Sequence, residues 1–314
     1  MSTQTPPNVL TADAAGVAQA ARVLAAGGTV AVPTETVYGL AARADQAEAV
    51  AAIFRAKGRP DFNPLIVHVP GLAAAEALAL FDERARALAA AFWPGPLTMV
   101  LPRRADALLA AAVSAGLPTV ALRVPAHPVM RAVLEAAGLP LAAPSANRSG
   151  GVSPTSAAHV VTSLGGRADL ILDGGITERG LESTIVAVRP GGGWQVLRPG
   201  PVTEAEIAAV LGEPAARERR GIEAPGQLAS HYAPGKPIRL GAMAAEGDEF
   251  LIGFGGVEGA VSMSVAGDLT EAAARLYACL HVAAAAPQPR IAVAPIPEEG
   301  VGAAINDRLR RAAA

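Results

Sequence analysis

Two cations stand at a point of the sequence where they could bind an anion. Lys57 and Arg59 follow an apolar-periodic segment, about Gln46 to Ala56, that predicts a helix. A buried strand is predicted directly afterwards, so the cations lie at a sheet end, where sites in α/β proteins gather. Arginine binds phosphate oxygens with two parallel bonds and lysine adds a compact charge. Cations at a helix C-terminus also complement the helix dipole, and the segment alone leaves both interpretations open.

A second polar loop follows another apolar strand. Residues 144–151 read PSANRSGG, and Ser153 and Thr155 come just before a predicted helix. Hydroxyl, amide and backbone N–H donors next to a helix N-terminus suit an anion. An ordinary loop with a Ser or Thr helix cap would give the same pattern.

Further polar residues lie in or beside strands that are otherwise apolar. Thr36 and Ser183 offer hydroxyls, and Arg198 ends a strand. His68 within an apolar strand is more often a core residue than a ligand. Arg123 in a buried strand needs an anionic partner, supplied by the protein or by a ligand. No acid–base pair or catalytic triad is evident, which favours electrostatic chemistry over covalent catalysis.

The elements that must position these residues predict an α/β protein. Helix and strand patterns mix without strict alternation, which favours an open mixed sheet over an all-parallel one. Strands on either side of the PGGG segment at 190–193 indicate a hairpin. We predict a catalytic domain over residues 1–212, a linker over 213–235 and a small second α/β domain over 236–314.

Composition narrows the class of protein. Hydrophobic residues make up 51% and charged residues 17% of 314 residues, so the chain can bury a large core. The net charge of −2 supplies no overall basic field for nucleic acid. A single cysteine, Cys279, and no signal peptide or membrane span lead us to expect a soluble protein of the reducing cytoplasm, with no membrane partner.

Taken together, the motifs resemble the threonylcarbamoyl-AMP synthase (YrdC-type) family. They are PTETVYGL at 33–40, KGRP at 57–60 with NPL at 63–65, ALRVP at 121–125, and SAN at 145–147 with SG at 149–150. The segments GQLASHYAPG at 226–235 and GAAINDRL at 302–309 resemble the longer branch of the family, which has two domains.

The resemblance implies a fold and an activity. The fold would be an open twisted mixed sheet with a second, smaller Rossmann-like domain, and the linker would close over the active site. The enzyme would be a nucleotidyltransferase that joins L-threonine, bicarbonate and ATP into threonylcarbamoyl-AMP and pyrophosphate. Mg²⁺ would enter with the ATP phosphates rather than on protein ligands. The product would serve threonylcarbamoyladenosine formation at position 37 of tRNA, with tRNA or a downstream transferase as a further partner.

The resemblance also assigns roles to residues. Lys57 and Arg59 would face the phosphates as catalytic cations. The threonine would be bound by Thr36, His68, Arg123, Ser145 and Ser183. The nucleotide would be bound by Arg59, Asn63, Thr119, Asn147, Ser153, Thr155 and Arg198, with His231 or Tyr232 of the linker closing over it.

Two other functions fit parts of the sequence. An RNA-binding module would use the cationic site together with the basic end at Arg308, Arg310 and Arg311. The low net charge and the absence of aromatic residues between basic runs argue against it. A carbamoyl-phosphate-using transferase is the second alternative, but the zinc-type cysteine motifs expected there are missing.

Overall fold

The computed structural model describes residues 6–60, 62–212, 223–226 and 230–314. These residues form two sheets, one of ten strands and one of four. No helix among them is long and apolar enough to cross a lipid bilayer.

The large sheet is mixed, as the sequence predicts. Its strand order is β1-β8-β2-β3-β7-β4-β6-β5-β9-β10. The pairs β1/β8, β2/β8, β4/β6 and β5/β9 are parallel, and the others are antiparallel. The strands are β1 (Val9–Thr11), β2 (Val30–Val32), β3 (Gly39–Arg43), β4 (Ile66–His68), β5 (Leu97–Pro102), β6 (Thr119–Arg123), β7 (Leu141–Ala142), β8 (Leu170–Asp173), β9 (Thr184–Val188) and β10 (Trp194–Arg198).

The helices that accompany this sheet begin and end at polar caps or glycines. The side chain of Asp82 accepts a hydrogen bond from the Ala85 amide at the start of the fourth helix. Gly58 ends the second helix in the left-handed conformation. The helices are α1 (Ala14–Ala25), α2 (Ala47–Lys57), α3 (Leu72–Glu76), α4 (Glu83–Phe92), α5 (Ala111–Ser114), α6 (Pro128–Ala137), α7 (Ala157–Leu164) and α8 (Glu204–Leu211).

The second sheet is small and entirely parallel, with strand order β11-β14-β12-β13. Its elements are β11 (Ile238–Leu240), β12 (Glu249–Gly253), β13 (Val261–Ser262), α9 (Leu269–Ala285), β14 (Arg290–Val293) and α10 (Gly302–Ala312). This agrees with the predicted second α/β unit, except that the short strand β13 was not predicted.

The two sheets are joined by a common hydrophobic core. Val37, Val152 and Leu181 from the first unit pack with Tyr232 and with the side chains around α9. The predicted linker lies partly outside the described residues, at 213–222 and 227–229. Within it, Glu223 forms an ion pair with Arg189, and Ala224 packs against Ile66 and neighbouring strand residues. The exact domain boundaries stay predictions.

Candidate functional site

A cavity of about 50 Å³ lies beside the loops and strand ends that carry the predicted site residues. The described linker residues form one wall of it. Its lining residues are Thr34, Thr36, Val37, Gly39, Arg59, Ile66, His68, Arg123, Ala143, Pro144, Ser145, Glu182, Ser183, Arg198, Pro225, Gly226, His231 and Tyr232.

Two arginines supply positive charge to this cavity. Arg59 donates from Nη2 to the Pro64 carbonyl oxygen (3.1 Å), and its buried Nε has no hydrogen-bond partner among the described residues. Burial lowers the pKa of Arg59 to about 10. Arg198 donates from Nε and Nη2 to the Ser183 carbonyl oxygen, at 3.1 and 2.9 Å. Both guanidinium groups are therefore held in place, and Arg59 Nε can still donate a hydrogen bond to a ligand.

Lys57 does not line the cavity. Its Nζ donates to the carbonyl oxygens of Ser145 and Asn147, at 2.6 Å each. Burial, followed by the charge of Arg59, holds the pKa of Lys57 well below its usual range. Lys57 therefore connects the end of α2 to the 145–147 loop through hydrogen bonds. The family resemblance had predicted that it faces the phosphates of ATP.

Arg123 obtains its anionic partner from the protein, which answers the question that the sequence left open. Its Nη2 donates to Glu35 Oε1 (2.6 Å) and its Nη1 to Thr36 Oγ1 (2.9 Å). Burial alone would raise the pKa of Glu35, but the charge and hydrogen bonds of Arg123 bring it below its usual value. Glu35 therefore fixes the orientation of the Arg123 guanidinium group and neutralises its positive charge.

Two histidines add buried ring nitrogens. Burial lowers the pKa values of His68 and His231 to about 3, so both imidazoles are neutral at neutral pH. The Nδ1 atoms of both rings are buried and have no hydrogen-bond partner within the part of the chain that the structure describes. Buried polar atoms are normally paired, so these atoms indicate a site for a polar ligand.

Among the described residues that line the cavity, Glu182 is the only carboxylate, and its role was not predicted. It accepts hydrogen bonds from Ser153, Tyr277 and Arg308, and the Arg308 Nε–Glu182 distance is 2.9 Å. Burial raises its pKa, but the charges of Arg308 and Arg198 outweigh this and lower it to about 2. Two features of the sequence could have revealed this pair. Glu182 stands just before a buried strand, and Arg308 lies on an apolar face of a helix.

The remaining predicted residues lie beside the cavity or beyond it. Because Ile66 pairs with Ala121 in parallel register, Asn63 and Thr119 lie at the amino ends of β4 and β6. His68 and Arg123 lie at the carboxyl ends, roughly 13 Å away at 3.3 Å per residue. The predicted nucleotide and threonine residues on these strands therefore occupy opposite ends.

The 145–155 segment is held by its own side chains. Asn147 Nδ2 donates to the carbonyl oxygens of Arg148 and Gly151, both at 2.8 Å. Ser153 is bound to Glu182, and Thr155 to His159. None of Asn147, Ser153 and Thr155 lines the cavity, although Ser145 does.

The basic end of α10 is neutralised by carboxylates. Arg308 pairs with Glu182, Arg310 with Glu298, and Arg311 with Asp307. The RNA-binding alternative thereby loses the contribution of this basic end.

Comparisons with known proteins agree on one family. A model of the Sua5/YciO/YrdC domain, described as "Telomere recombination", matches residues 22–200. A second, described as "Threonylcarbamoyl-AMP synthase, C-terminal domain", matches residues 202–314.

Individual relatives carry the same name. The chain is 45% identical to threonylcarbamoyl-AMP synthase of Bacillus subtilis over 71% of this chain and 66% of the relative. It is 38% identical to that of Pyrococcus abyssi over 93% and 92%. The crystal structure of P. abyssi Sua5 complexed with L-threonine is similar with a TM-score of 0.87 and 34% identity, covering 98% of this chain and 97% of that one.

Proposed function

Because this chain belongs to the Sua5/YciO/YrdC family and carries the C-terminal domain of threonylcarbamoyl-AMP synthases, we propose that it forms threonylcarbamoyl-AMP and pyrophosphate from L-threonine, bicarbonate and ATP. The observation that carries the proposal is the cavity itself. Arg59 and Arg198 face it, and buried nitrogens of Arg59, His68 and His231 have no partner among the described residues. Such a lining suits a ligand that is anionic at one end and polar elsewhere.

The chemistry needs charge stabilisation more than proton transfer. The threonine amine and bicarbonate condense to a carbamate with loss of water. One carbamate oxygen then bonds to the α-phosphorus of ATP, the bond between that phosphorus and the bridging oxygen breaks, and pyrophosphate leaves with the electron pair. Nucleophile and leaving group are both anionic, so guanidinium groups fixed by Pro64 and Ser183 lower the barrier by positioning and electrostatics.

Mg²⁺ is proposed to accompany ATP. The carboxylate that lines the cavity, Glu182, is already bound by Arg308, and the other polar lining groups are cations, hydroxyls and neutral histidines. No group of three metal-binding side chains occurs among the described residues. The ion would be held by phosphate oxygens, where it would offset negative charge.

The product is proposed to pass its threonylcarbamoyl group to position 37 of tRNA through a partner transferase. This step follows from the family and not from a surface described above.

Mass spectrometry of the products from ATP, threonine and bicarbonate tests the proposal. We expect threonylcarbamoyl-AMP, or its breakdown products, together with pyrophosphate. A control without bicarbonate should give none. Pyrophosphate release that does not depend on threonine would refute the assignment.

A further inference from the structure

Arg308 of α10 is a fully buried arginine that reaches the wall of the cavity from the second α/β unit. Its Nε donates to Glu182 Oε2 (2.9 Å) and its Nη2 to the Pro199 carbonyl oxygen (3.0 Å). Its guanidinium carbon lies 5.4 Å from the centre of the Tyr232 ring, within the range of a cation–π contact. Glu182 and Tyr232 line the cavity, and Pro199 follows the lining residue Arg198. Arg308 does not line the cavity itself, but it contacts three segments of the wall.

The Glu182 carboxylate is bound at both oxygen atoms by side chains that do not line the cavity. Its Oε1 accepts a hydrogen bond from the Ser153 hydroxyl, and its Oε2 accepts from the Tyr277 hydroxyl (2.7 Å) as well as from Arg308. Serine and tyrosine hydroxyls are neutral donors, so Arg308 is the one of these three partners that supplies a positive charge. The second unit provides both donors to Oε2, from α9 and α10.

The position of Glu182 makes its charge important for the cavity. It adjoins Ser183, whose carbonyl oxygen holds the Arg198 guanidinium at 2.9 Å. Burial raises the pKa of Glu182, and the charges of Arg308 and then Arg198 lower it, so both arginines act on the same carboxylate. Without Arg308, the negative charge would repel an anion in the cavity and attract the Arg198 guanidinium towards itself. Burial strengthens both effects, because water screens such charges less there.

We propose that Arg308 is a positioning residue for anion binding: it neutralises and holds the Glu182 carboxylate, so that the charge of Arg198 acts on an anion in the cavity. The second unit thereby sets the charge of a cavity that is built mainly by the first. Arg308 acts through Glu182 and does not touch the anion. That the anion carries the phosphate groups of substrate or product rests on the proposed function.

A double-mutant cycle tests this role. Arg308→Met removes the positive charge and keeps an unbranched side chain, and Glu182→Gln removes the negative charge and keeps the shape. The two single variants, the double variant and the wild-type full chain are compared by calorimetric binding of inorganic pyrophosphate. The measurement is made at pH 8, where a carboxylate stays ionised, and at physiological ionic strength, where exposed charges are screened.

We expect Arg308→Met to weaken pyrophosphate binding by about tenfold, because an uncompensated carboxylate then lies in the cavity wall. Adding Glu182→Gln to Arg308→Met should recover most of the affinity, since the carboxylate that competes for Arg198 is gone. The same substitution should change the affinity much less in the wild-type background, where Arg308 already holds the carboxylate. Damage to packing alone would not be repaired in this way.

A matched control lies on the same helix. Arg310 pairs with Glu298, and both side chains are exposed. Arg310→Met therefore removes the same charge from α10 and should leave the affinity for pyrophosphate unchanged. Breaking one half of a buried ion pair can also prevent folding. If Arg308→Met does not fold, Arg308→Lys takes its place in the cycle, because it keeps the charge but cannot form both hydrogen bonds of the guanidinium group.

Three outcomes would overturn the proposal. The first is an affinity in Arg308→Met, or in Arg308→Lys where that variant is used, equal to that of the wild type. The second is an equal effect of Glu182→Gln in both backgrounds. The third is a wild-type chain that does not bind pyrophosphate. A wild-type chain that binds pyrophosphate but makes no threonylcarbamoyl-AMP would instead refute the proposed function, and the cycle would still report on Arg308.

Discussion

Lys57 and Arg59 are two positions apart, yet their surroundings give them different tasks. Lys57 Nζ is bound by two carbonyl oxygens of the 145–147 loop, while Arg59 lines the cavity with its Nε free of partners among the described residues. The sequence could not separate them, because both are cations on one turn. The distinction comes from the loop at Ser145–Asn147, which lies about 90 residues further along the chain and accepts two hydrogen bonds from the Lys57 ammonium group.

Arg59→Ala is expected to lower threonine-dependent pyrophosphate release by about 10²–10³-fold, the usual effect of removing one well-placed donor. Stability should fall by no more than about 1–3 kcal/mol, because the Pro64 carbonyl oxygen loses its donor while the cost of burying the guanidinium, seen in its pKa of about 10, is relieved. Steady-state kinetics and urea unfolding measure the two effects. Near-normal turnover in Arg59→Ala would remove Arg59 from the mechanism.

Lys57→Met is expected to destabilise the fold. The substitution keeps the length of the side chain but leaves the Asn147 carbonyl oxygen without its Lys57 donor, at about 1–3 kcal/mol, whereas the Ser145 carbonyl oxygen still accepts from the Asn147 amide. We expect the free energy of unfolding to fall by about 1–3 kcal/mol. If Lys57→Met were as stable as the wild type but inactive, Lys57 would act on substrate instead.

At the scale of elements, the pattern of the sequence predicts most helices and strands because their apolar periods are clear. The strand β3 was missed, since Gly39–Arg43 reads GLAAR and neither glycine nor alanine favours strands. It forms because β2 and β7 pair with it on both sides.

Contacts between distant elements were not predictable from one sequence. Arg123 required an anion, but nothing in the pattern identified Glu35, 88 residues away. Glu182 and Arg308 are separated by 126 residues, and His159 meets His281 only because α7 and α9 pack together. The predicted residue types were informative, whereas their partners depend on the packing of whole elements.

The linker passes close to Arg198 at a glycine. Gly226 has a φ of +84°, and a Cβ there would lie 2.9 Å from Arg198 Cδ and 3.2 Å from Tyr232 Oη. Arg198 cannot easily move away, because Ser183 holds its guanidinium. The absence of a side chain at Gly226 is therefore needed for this wall of the cavity.

Gly226→Ala is expected to lower kcat/KM for ATP by about tenfold relative to Gly235→Ala. Gly235 has a similar φ of +79° but no atom within 4 Å of its Cβ position. Both substitutions carry a comparable left-handed strain of about 1–2 kcal/mol, so the comparison isolates the steric contact. Equal kinetics for the two variants would show that the linker tolerates a side chain here.

At the scale of the whole molecule, burial lowers the pKa of every histidine. The chain has five histidines, and the pKa of each is lowered, with burial the largest cause. The folded protein therefore keeps its histidines neutral where the unfolded chain, with an ordinary pKa of about 6.5, takes up protons. His68 and His231 are the clearest cases, because both are buried and titrate at about 3 when folded.

We therefore expect the stability of the protein to fall as pH falls from about 6.5 towards 3. In this range the unfolded state binds more protons, so the free energy of unfolding rises with pH and the contribution is fully present above 6.5. His68 and His231 together account for roughly 2 kcal/mol per pH unit between pH 6 and 5. Urea unfolding at pH 7, 6 and 5 measures this slope, and His68→Asn should reduce it by about half the amount assigned to the pair. A free energy of unfolding that is equal at pH 7 and pH 5 would contradict the neutral, buried state of these rings.

Since His231 belongs to the linker and His68 to β4, the dependence of the unfolding free energy on pH also reports whether the linker covers the cavity in solution. An unseated linker would expose His231, restore its ordinary pKa and leave only the contribution of His68.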